Sequence, residues 1–102
     1  MMTQVTVTMQ TTHSGHIEIT GHAGDPLVCA GISTLVCAAL NAMGEAAQNV
    51  VYESGDVRFD AEITDGVQMG ALETLIGGLE IMGDKFPGRV GVTLNCPDDL
   101  QY

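Results

Sequence analysis

The stretch GHAGDPLVCAGIS, residues 21–33, decides the fold, because it predicts where a strand ends and a long helix begins. Gly21 ends the predicted strand. Asp25 can cap the free backbone N–H groups at a helix start, and Pro26 suits the first helical position. Apolar residues then recur at helical spacing, which predicts a helix over about residues 26–48. Because this helix is apolar around its whole girth, we expect it to be largely buried.

The segments on both sides of this stretch alternate between apolar and polar residues, as half-exposed strands do. The predicted strands are 5–9, 16–20, 50–52, 57–63 and 90–94, and a second helix is predicted at about 67–84. The order ββαββαβ predicts an α+β fold, a two-layer sandwich of a mixed or antiparallel sheet with both helices on one face. A chain of 102 residues is long enough for one core, so we expect a single domain over residues 1–102.

The charge of the chain restricts its partners. Thirteen acidic residues against three basic ones give a formal net charge of −10. Nucleic acid is not an expected partner, because phosphate binding needs clustered Lys and Arg. An anionic membrane surface is disfavoured for the same reason, and the apolar run 27–43 lacks the basic flanks of a membrane helix. A basic protein would be attracted, although acidity also simply keeps a small protein in solution.

The three cysteines, Cys29, Cys37 and Cys96, show no paired spacing. Cys29 and Cys37 are predicted on one helix roughly 12 Å apart along its axis, too far to form a disulfide. The first residues carry no signal-peptide pattern, so we expect a reduced, cytoplasmic protein. Cys37, deep in the apolar helix, is predicted to be a core residue, and Cys96 is predicted to have no role.

Cys29 and His22 form the candidate catalytic pair. If the helix begins at Asp25 or Pro26, Cys29 lies in its first turn, where free N–H groups and the helix dipole favour a thiolate. His22 lies at the start of the same short turn, so an imidazole there could take the thiol proton. The free N–H groups could also serve as an oxyanion hole. Ser33, one helical turn beyond Cys29, either supports this site or bonds to its own helix.

Other functions compete with this interpretation. A cysteine in an apolar helix is commonly a packed small hydrophobe, and a histidine after a strand is commonly a surface residue. His13, His16, His22 and Cys29 match no compact zinc motif, so no metal is expected. No cofactor is expected either, because the chain has no glycine-rich phosphate loop, and Gly77-Gly78 falls in a helix where it favours close packing.

The residues GHA at 21–23, VCA at 28–30 and Ser33, four positions after the cysteine, resemble the signature of the ribosomal-processing cysteine protease family, Prp. The resemblance covers most of the chain, and its later portion matches in pattern only. It implies an α/β fold, a homodimer, His22 as general base and Cys29 as nucleophile. Ser33, which matches the motif serine, and Asp25, the nearest acidic residue, are expected to support the pair.

The resemblance also implies a substrate: a large-subunit ribosomal protein precursor whose short N-terminal extension is removed. Such a basic partner suits an acidic protein. Two features depart from the family pattern, since the loop between GHA and the cysteine is shorter and Pro26 stands where the motif has an aspartate. A short turn stiffened by proline predicts less opening for a substrate. The alternatives are a variant retargeted to a phage-type protein, or a non-catalytic acidic binding module that recognises a basic protein.

Overall fold

The computed structural model describes residues 1–96, whose elements follow the predicted order ββαββαβ. The strands are β1 (Thr3–Met9), β2 (Ser14–Thr20), β3 (Ala47–Glu53), β4 (Asp56–Glu62) and β5 (Val90–Asn95). The helices are α1 (Pro26–Met43) and α2 (Gly66–Lys85), and a short 3-10 turn (Gly44–Ala46) follows α1. The predicted fold class is therefore confirmed. From residue 97 onward the chain lies outside the described residues.

The five strands form one mixed sheet in the order β3-β4-β2-β1-β5. Neighbouring strands are antiparallel except β1 and β5, which are parallel because α2 connects the chain back to the far edge. The pairing of β2 with β4 places Thr20 opposite Asp56. It thereby brings the β3–β4 turn beside the end of β2, where the Gly21 N–H donates to the Gly55 carbonyl over 2.9 Å.

One face of the sheet packs against both helices and forms the core. Alternate residues of the central strands are fully buried there, and they contact one side of each helix. The buried set includes Val5, Val7, Ile17, Ile19 and Phe59 from the sheet, with Val28, Ile32 and Val36 from α1 and Leu72, Leu75 and Leu79 from α2. The intervening strand residues face solvent on the other side, as the two-layer prediction requires.

The first helix ends earlier than the sequence predicts. It stops at Met43, and Gly44 has a φ of 54°, a conformation that glycine adopts without steric cost. The expected extension to about residue 48 is wrong because Ala47 already pairs with Ala61 in the sheet. The apolar pattern of α1 continues past its end because Ala46 is also buried. Ala46 lies in the 3-10 turn and not in the helix.

The expectation that α1 is largely buried is also wrong. Only five of its eighteen residues are buried, and Leu27 is 85% exposed. A sandwich with one sheet covers one side of each helix, so the outer side of α1 has no layer to pack against. By length and composition alone the helical stretch Pro26–Ala46 is apolar enough to cross a membrane, a test that the core helix of a soluble protein also passes.

The two helices approach closely at a glycine. A Cβ atom on Gly78 would lie 2.6 Å from Cδ2 of Leu35, so the leucine of α1 fills the space left by the missing side chain. The predicted packing role is confirmed at Gly78 and wrong at Gly77, which has no atom within 4 Å of a Cβ position.

Candidate functional site

The turn between β2 and α1 is short and held in place from outside. Gly21 and Gly24 have φ values of 85° and 77°, which allow the chain to reverse direction within four residues. Ala23, between them, is fully buried. Arg89, from the segment before β5, donates from Nη1 to the Ala23 carbonyl over 2.8 Å. The turn that carries His22 is therefore fixed by a contact from the other end of the chain.

Asp25 caps α1 as the sequence predicts. Its carboxylate accepts hydrogen bonds from the N–H groups of Leu27 (2.9 Å) and Val28 (3.3 Å), and its carbonyl accepts from the Cys29 N–H (3.0 Å). Pro26 has no N–H group. The expectation that first-turn N–H groups form an oxyanion hole is therefore wrong, because each of them already has an acceptor.

A cavity of about 520 Å³ lies beside this turn. It is lined by residues of β1, β2, the β2–α1 turn, α1 and the β3–β4 hairpin: Thr3, Ile19, Gly21, His22, Cys29, Ile32, Ser33, Val36, Tyr52, Glu53, Ser54, Gly55, Asp56 and Val57. The structure thus brings His22, Cys29 and Ser33 to one cavity. Asp25 is not among its lining residues, since its carboxylate points to the helix start.

The His22 ring lies against the β3–β4 turn. A Cβ atom on Gly55 would be 2.7 Å from Nε2 of His22, so a larger residue there would have to displace the imidazole. Gly55 also has a φ of 75°. Within residues 1–96 no hydrogen bond joins the His22 imidazole to the Cys29 thiol. Proton transfer between them therefore requires a side-chain rotation or a bridging water, as is common before a substrate binds.

Ser33, Cys37 and Tyr52 meet where α1 faces β3. The prediction that Cys37 is a core residue is wrong: the thiol is exposed, and its Sγ lies 2.9 Å from the Tyr52 hydroxyl. This hydrogen bond is the largest cause of the raised pKa of Tyr52, and the Ser33 hydroxyl acts in the opposite direction. A hydroxyl bonded to its own helix backbone was one alternative for Ser33. The hydroxyl that makes such a bond is that of the next residue, Thr34, which donates to the Ala30 carbonyl over 2.9 Å.

The hairpin that closes the cavity was missed by sequence reasoning. Tyr52, Glu53, Ser54 and Gly55 line the cavity opposite Cys29, yet no motif marks them. Ser54-Gly55-Asp56 has the composition of a turn, which says nothing about where that turn lies in the fold. Only the antiparallel pairing of β4 with β2 places it beside His22.

The other histidines lie away from the cavity. His13 is exposed, and His16 lies on the solvent side of the sheet, where Nδ1 is 2.6 Å from Asp60 and Nε2 is 3.1 Å from Glu18. These hydrogen bonds, led by that to Asp60, raise the pKa of His16. Asn49 first and His16 second lower the pKa of Asp60. Among the residues that the structure describes, no group of three or more His, Cys, Asp or Glu side chains is arranged to hold a metal ion.

Cys96 follows β5 and is exposed. It does not line the cavity that holds Cys29. The three thiols of the chain therefore occupy three different surroundings, and one of them lies next to a histidine-bearing turn.

Comparison with known proteins adds a family and a shared fold. A model of the family described as "Cysteine protease Prp" matches residues 2–90. A search of curated proteins found no match. Among solved structures, SMU.848 from Streptococcus mutans is similar, with 22% identity and a TM-score of 0.74 over 94% of this chain and 96% of the other.

Two further similar structures are of an essential ribosomal processing protease Prp from S. aureus. The one with a covalently linked product peptide has 19% identity and a TM-score of 0.73, over 94% of this chain and all of the other. The one with a substrate peptide has 18% identity and a TM-score of 0.71, over 92% of this chain and all of the other. At these identities the likeness establishes a common fold.

Proposed function

This chain belongs to the cysteine protease Prp family, and on that premise we propose that it is an endopeptidase with Cys29 as nucleophile and His22 as general base. The observation that carries the proposal is the single cavity lined by both side chains and large enough for a peptide segment. Cys29 is partly buried and His22 exposed, so the imidazole has room to turn toward the thiol.

The proposed reaction is acyl transfer through the thiol. His22 takes the proton of Cys29, and the thiolate attacks the scissile carbonyl carbon to form a C–S bond. The imidazolium then protonates the leaving amine as the peptide C–N bond breaks, which leaves an acyl-enzyme. His22 next takes a proton from water, whose oxygen attacks the thioester, and Cys29 is released with the carboxylate product.

Ser33 and Asp25 have supporting roles in this proposal. The Ser33 hydroxyl lines the cavity one helical turn beyond Cys29 and can donate a hydrogen bond to a developing oxyanion. The N–H groups of the first turn do not compete for that role, because the cap has occupied them. Asp25 acts through the backbone, by fixing where α1 starts and hence where the Cys29 side chain lies.

The proposed substrate is a large-subunit ribosomal protein precursor from which a short N-terminal extension is removed. The two similar S. aureus structures are described as a ribosomal processing protease, one with a product peptide and one with a substrate peptide, which supports this class. The net charge of −10 also supports it, because a basic ribosomal protein would be drawn to this surface.

Intact-mass spectrometry of the extended ribosomal protein from the same organism tests the proposal. We expect a single cut with the unaltered protein, and no cut with Cys29→Ala or His22→Ala. Cys96→Ala is the matched control, since that exposed thiol lies outside the cavity lining. A cut that survives Cys29→Ala contradicts the mechanism. A stable complex without any cut contradicts the peptidase and supports the acidic binding module.

We also propose that the protein is a cytoplasmic homodimer. Exposed apolar residues on the outer sides of α1 and α2, including Leu27 and Val67 (85% and 73% exposed), support an interface between copies. The three free cysteines support a reducing compartment. Sedimentation equilibrium tests the dimer: we expect twice the chain mass, and a shift toward the monomer in Val67→Asp.

A further inference from the structure

We propose that Arg89 is a positioning residue for the general base, because its guanidinium holds the turn that carries His22. The inference rests on the proposed peptidase function and adds a residue that the reaction needs although it does not touch the substrate. Arg89 Nη1 donates to the Ala23 carbonyl over 2.8 Å, from 66 positions further along the chain. Arg89 itself is not among the residues that line the Cys29 cavity.

The backbone on both sides of His22 is held by side chains from other parts of the fold. The Gly21 carbonyl accepts a hydrogen bond from Thr3 Oγ1 over 3.3 Å, and the Ala23 carbonyl accepts the one from Arg89. The two donor residues are also joined to each other, because the Thr3 N–H donates to the Arg89 carbonyl over 2.8 Å. Thr3 and Arg89 therefore form one clamp around the residue that carries the imidazole.

The turn needs this clamp because its own residues allow it much conformational freedom. Two glycines, Gly21 and Gly24, lie at its ends with φ values of 85° and 77°, and glycine has the widest choice of backbone conformations. A Cβ atom on Gly24 would lie 3.2 Å from Arg89 Nη1, so the guanidinium packs directly against the second glycine. The Arg89 side chain thus restricts the turn at two adjacent residues, the carbonyl of Ala23 and the backbone of Gly24.

The turn before α2, which carries no candidate catalytic residue, is held in a different way. There the N–H and the hydroxyl of Thr64 donate to Gln68 Oε1, over 2.7 and 2.9 Å, so the contact comes from the first residues of the same helix. The guanidinium at the first turn comes from the segment before β5, which reaches this place because β5 pairs with β1. A hydrogen bond from an ionised donor is also about twice as strong as one between neutral groups. The first turn therefore has a stronger and more distant anchor than a helix start requires.

Loss of this anchor should affect the chemical step and not the binding of substrate. Displacing a catalytic group by about 1 Å can lower the rate by about 100-fold. Because the buried Ala23 still holds part of the turn, we expect Arg89→Met to lower kcat by about tenfold. KM should stay within about twofold, since Arg89 does not line the cavity. Arg89→Lys keeps a cationic donor on a stem of similar length and should retain most of the rate.

A double-mutant cycle on the alkylation of Cys29 tests whether Arg89 acts through His22. The rate with iodoacetamide at pH 6.5 is measured in chains whose other two cysteines are replaced by Ala, at a temperature where circular dichroism shows every variant folded. We expect Arg89→Met to lower the rate by about threefold to fivefold, and to have no further effect in His22→Ala. Lys85→Met, which removes an equal charge from the last turn of α2, is the control and should leave the rate unchanged.

A second measurement reports the position of the imidazole without any reaction. The His22 ring lies against Gly55, where a Cβ atom would be 2.7 Å from Nε2. We expect a nuclear Overhauser effect between the ring protons of His22 and the α protons of Gly55 in the unaltered protein, in Arg89→Lys and in Lys85→Met. In Arg89→Met the same effect should be weak or absent.

The outcomes separate this inference from the function on which it rests. The positioning role of Arg89 is overturned, while Cys29-dependent cleavage stands, if Arg89→Met leaves either the alkylation rate or the nuclear Overhauser effect unchanged. It is also overturned if Arg89→Met lowers the alkylation rate equally in the presence and absence of His22. If the unaltered protein cuts no substrate, the peptidase proposal fails. The nuclear Overhauser effect then still decides whether Arg89 positions the His22 ring.

Discussion

The two strand-to-helix junctions of this protein start their helices in the same way, yet only one of them is a candidate site. Asp25 caps α1 and Asp65 caps α2, each with its side chain on backbone N–H groups. Four residues after each cap, Cys29 and Met69 are both partly buried, and their N–H groups donate to the cap carbonyl over 3.0 and 3.1 Å. The local geometry of the two helix starts is therefore matched.

The junctions differ in what surrounds them. Three residues before the cap, the first has His22 and the second has Glu62. The β3–β4 hairpin covers the first junction and packs Gly55 against His22, whereas a Cβ on Gly66, at the start of α2, meets no atom within 4 Å. A capped helix start thus serves to stabilise the fold. It becomes a candidate catalytic site only where tertiary contacts add a base and a cavity wall.

Moving the thiol from one junction to the other tests this comparison most directly. Two single-cysteine proteins are compared, both with Cys37 and Cys96 replaced by Ala. One keeps Cys29, and the other carries Cys29→Ala together with Met69→Cys. At pH 6.5 we expect iodoacetamide to alkylate Cys29 about tenfold faster than the thiol introduced at position 69. Only Cys29 has an imidazole in its cavity to take the proton. His22→Ala should reduce the Cys29 rate to that of the introduced thiol. Equal alkylation rates for Cys29 and for the thiol introduced by Met69→Cys, with His22 present in both proteins, would contradict the role of His22 as base.

Gly55→Ala should displace the base from the first junction. The added methyl group would lie 2.7 Å from Nε2 of His22, so the ring must move. We expect kcat/KM to fall by about 10- to 100-fold, the usual result of moving a catalytic group by about 1 Å. Gly44→Ala is the control, because Gly44 also has a positive φ (54°) but no atom near its Cβ position. A comparable loss in the control would assign the effect to backbone strain.

Removing the two caps compares the junctions as parts of the fold. Asp25→Ala and Asp65→Ala should each lower the free energy of unfolding by about 1 kcal/mol, because each leaves helix N–H groups without an acceptor. Asp25 accepts two N–H groups and Asp65 accepts one, so urea unfolding should show the larger loss for Asp25→Ala. Under conditions where both variants are folded, only Asp25→Ala should slow cleavage. Equal cleavage rates for the two variants would show that the Asp25 cap does not help to position Cys29 for cleavage.

The smallest expected effect lies on the solvent side of the sheet. The raised pKa of His16 contributes stability that is present below its ordinary value of 6.5 and lost as the pH rises through the raised value. The lowered pKa of Asp60 contributes stability that is present above its ordinary value of 3.8 and lost as the pH falls through the lowered value. Together they favour the folded state most between these two ordinary values.

His16→Gln should therefore lower the urea midpoint at pH 5.5 more than at pH 8.5. His13→Gln is the control, since among the described residues the His13 imidazole bonds only to Thr12, over 2.7 Å, and to no carboxylate. The same pH dependence in both variants would show that His16 does not stabilise the sheet through Asp60 and Glu18.

Local chemistry made much of the fold predictable. Asp25-Pro26 marks the start of α1, alternation marks the strands, and both features act over a few neighbouring residues. The predicted end of α1 failed at Gly44, because apolar periodicity is the same in a helix and in a buried turn that leads into a strand. Cys37 was misplaced for a related reason, since periodicity reports which face of a helix is apolar and not how many layers cover it.

The sequence by itself determined the order of the elements, the capped start of α1 and the family motif that contains His22 and Cys29. Each of these rests on residue types at short spacing, which the chain carries in any conformation. Tertiary structure alone decided which other groups share the cavity. The pairing of β2 with β4 brought Glu53 and Gly55 to it, and the cap withdrew the first-turn N–H groups from it. These contacts join segments far apart in the chain, so they exist only once the sheet has formed.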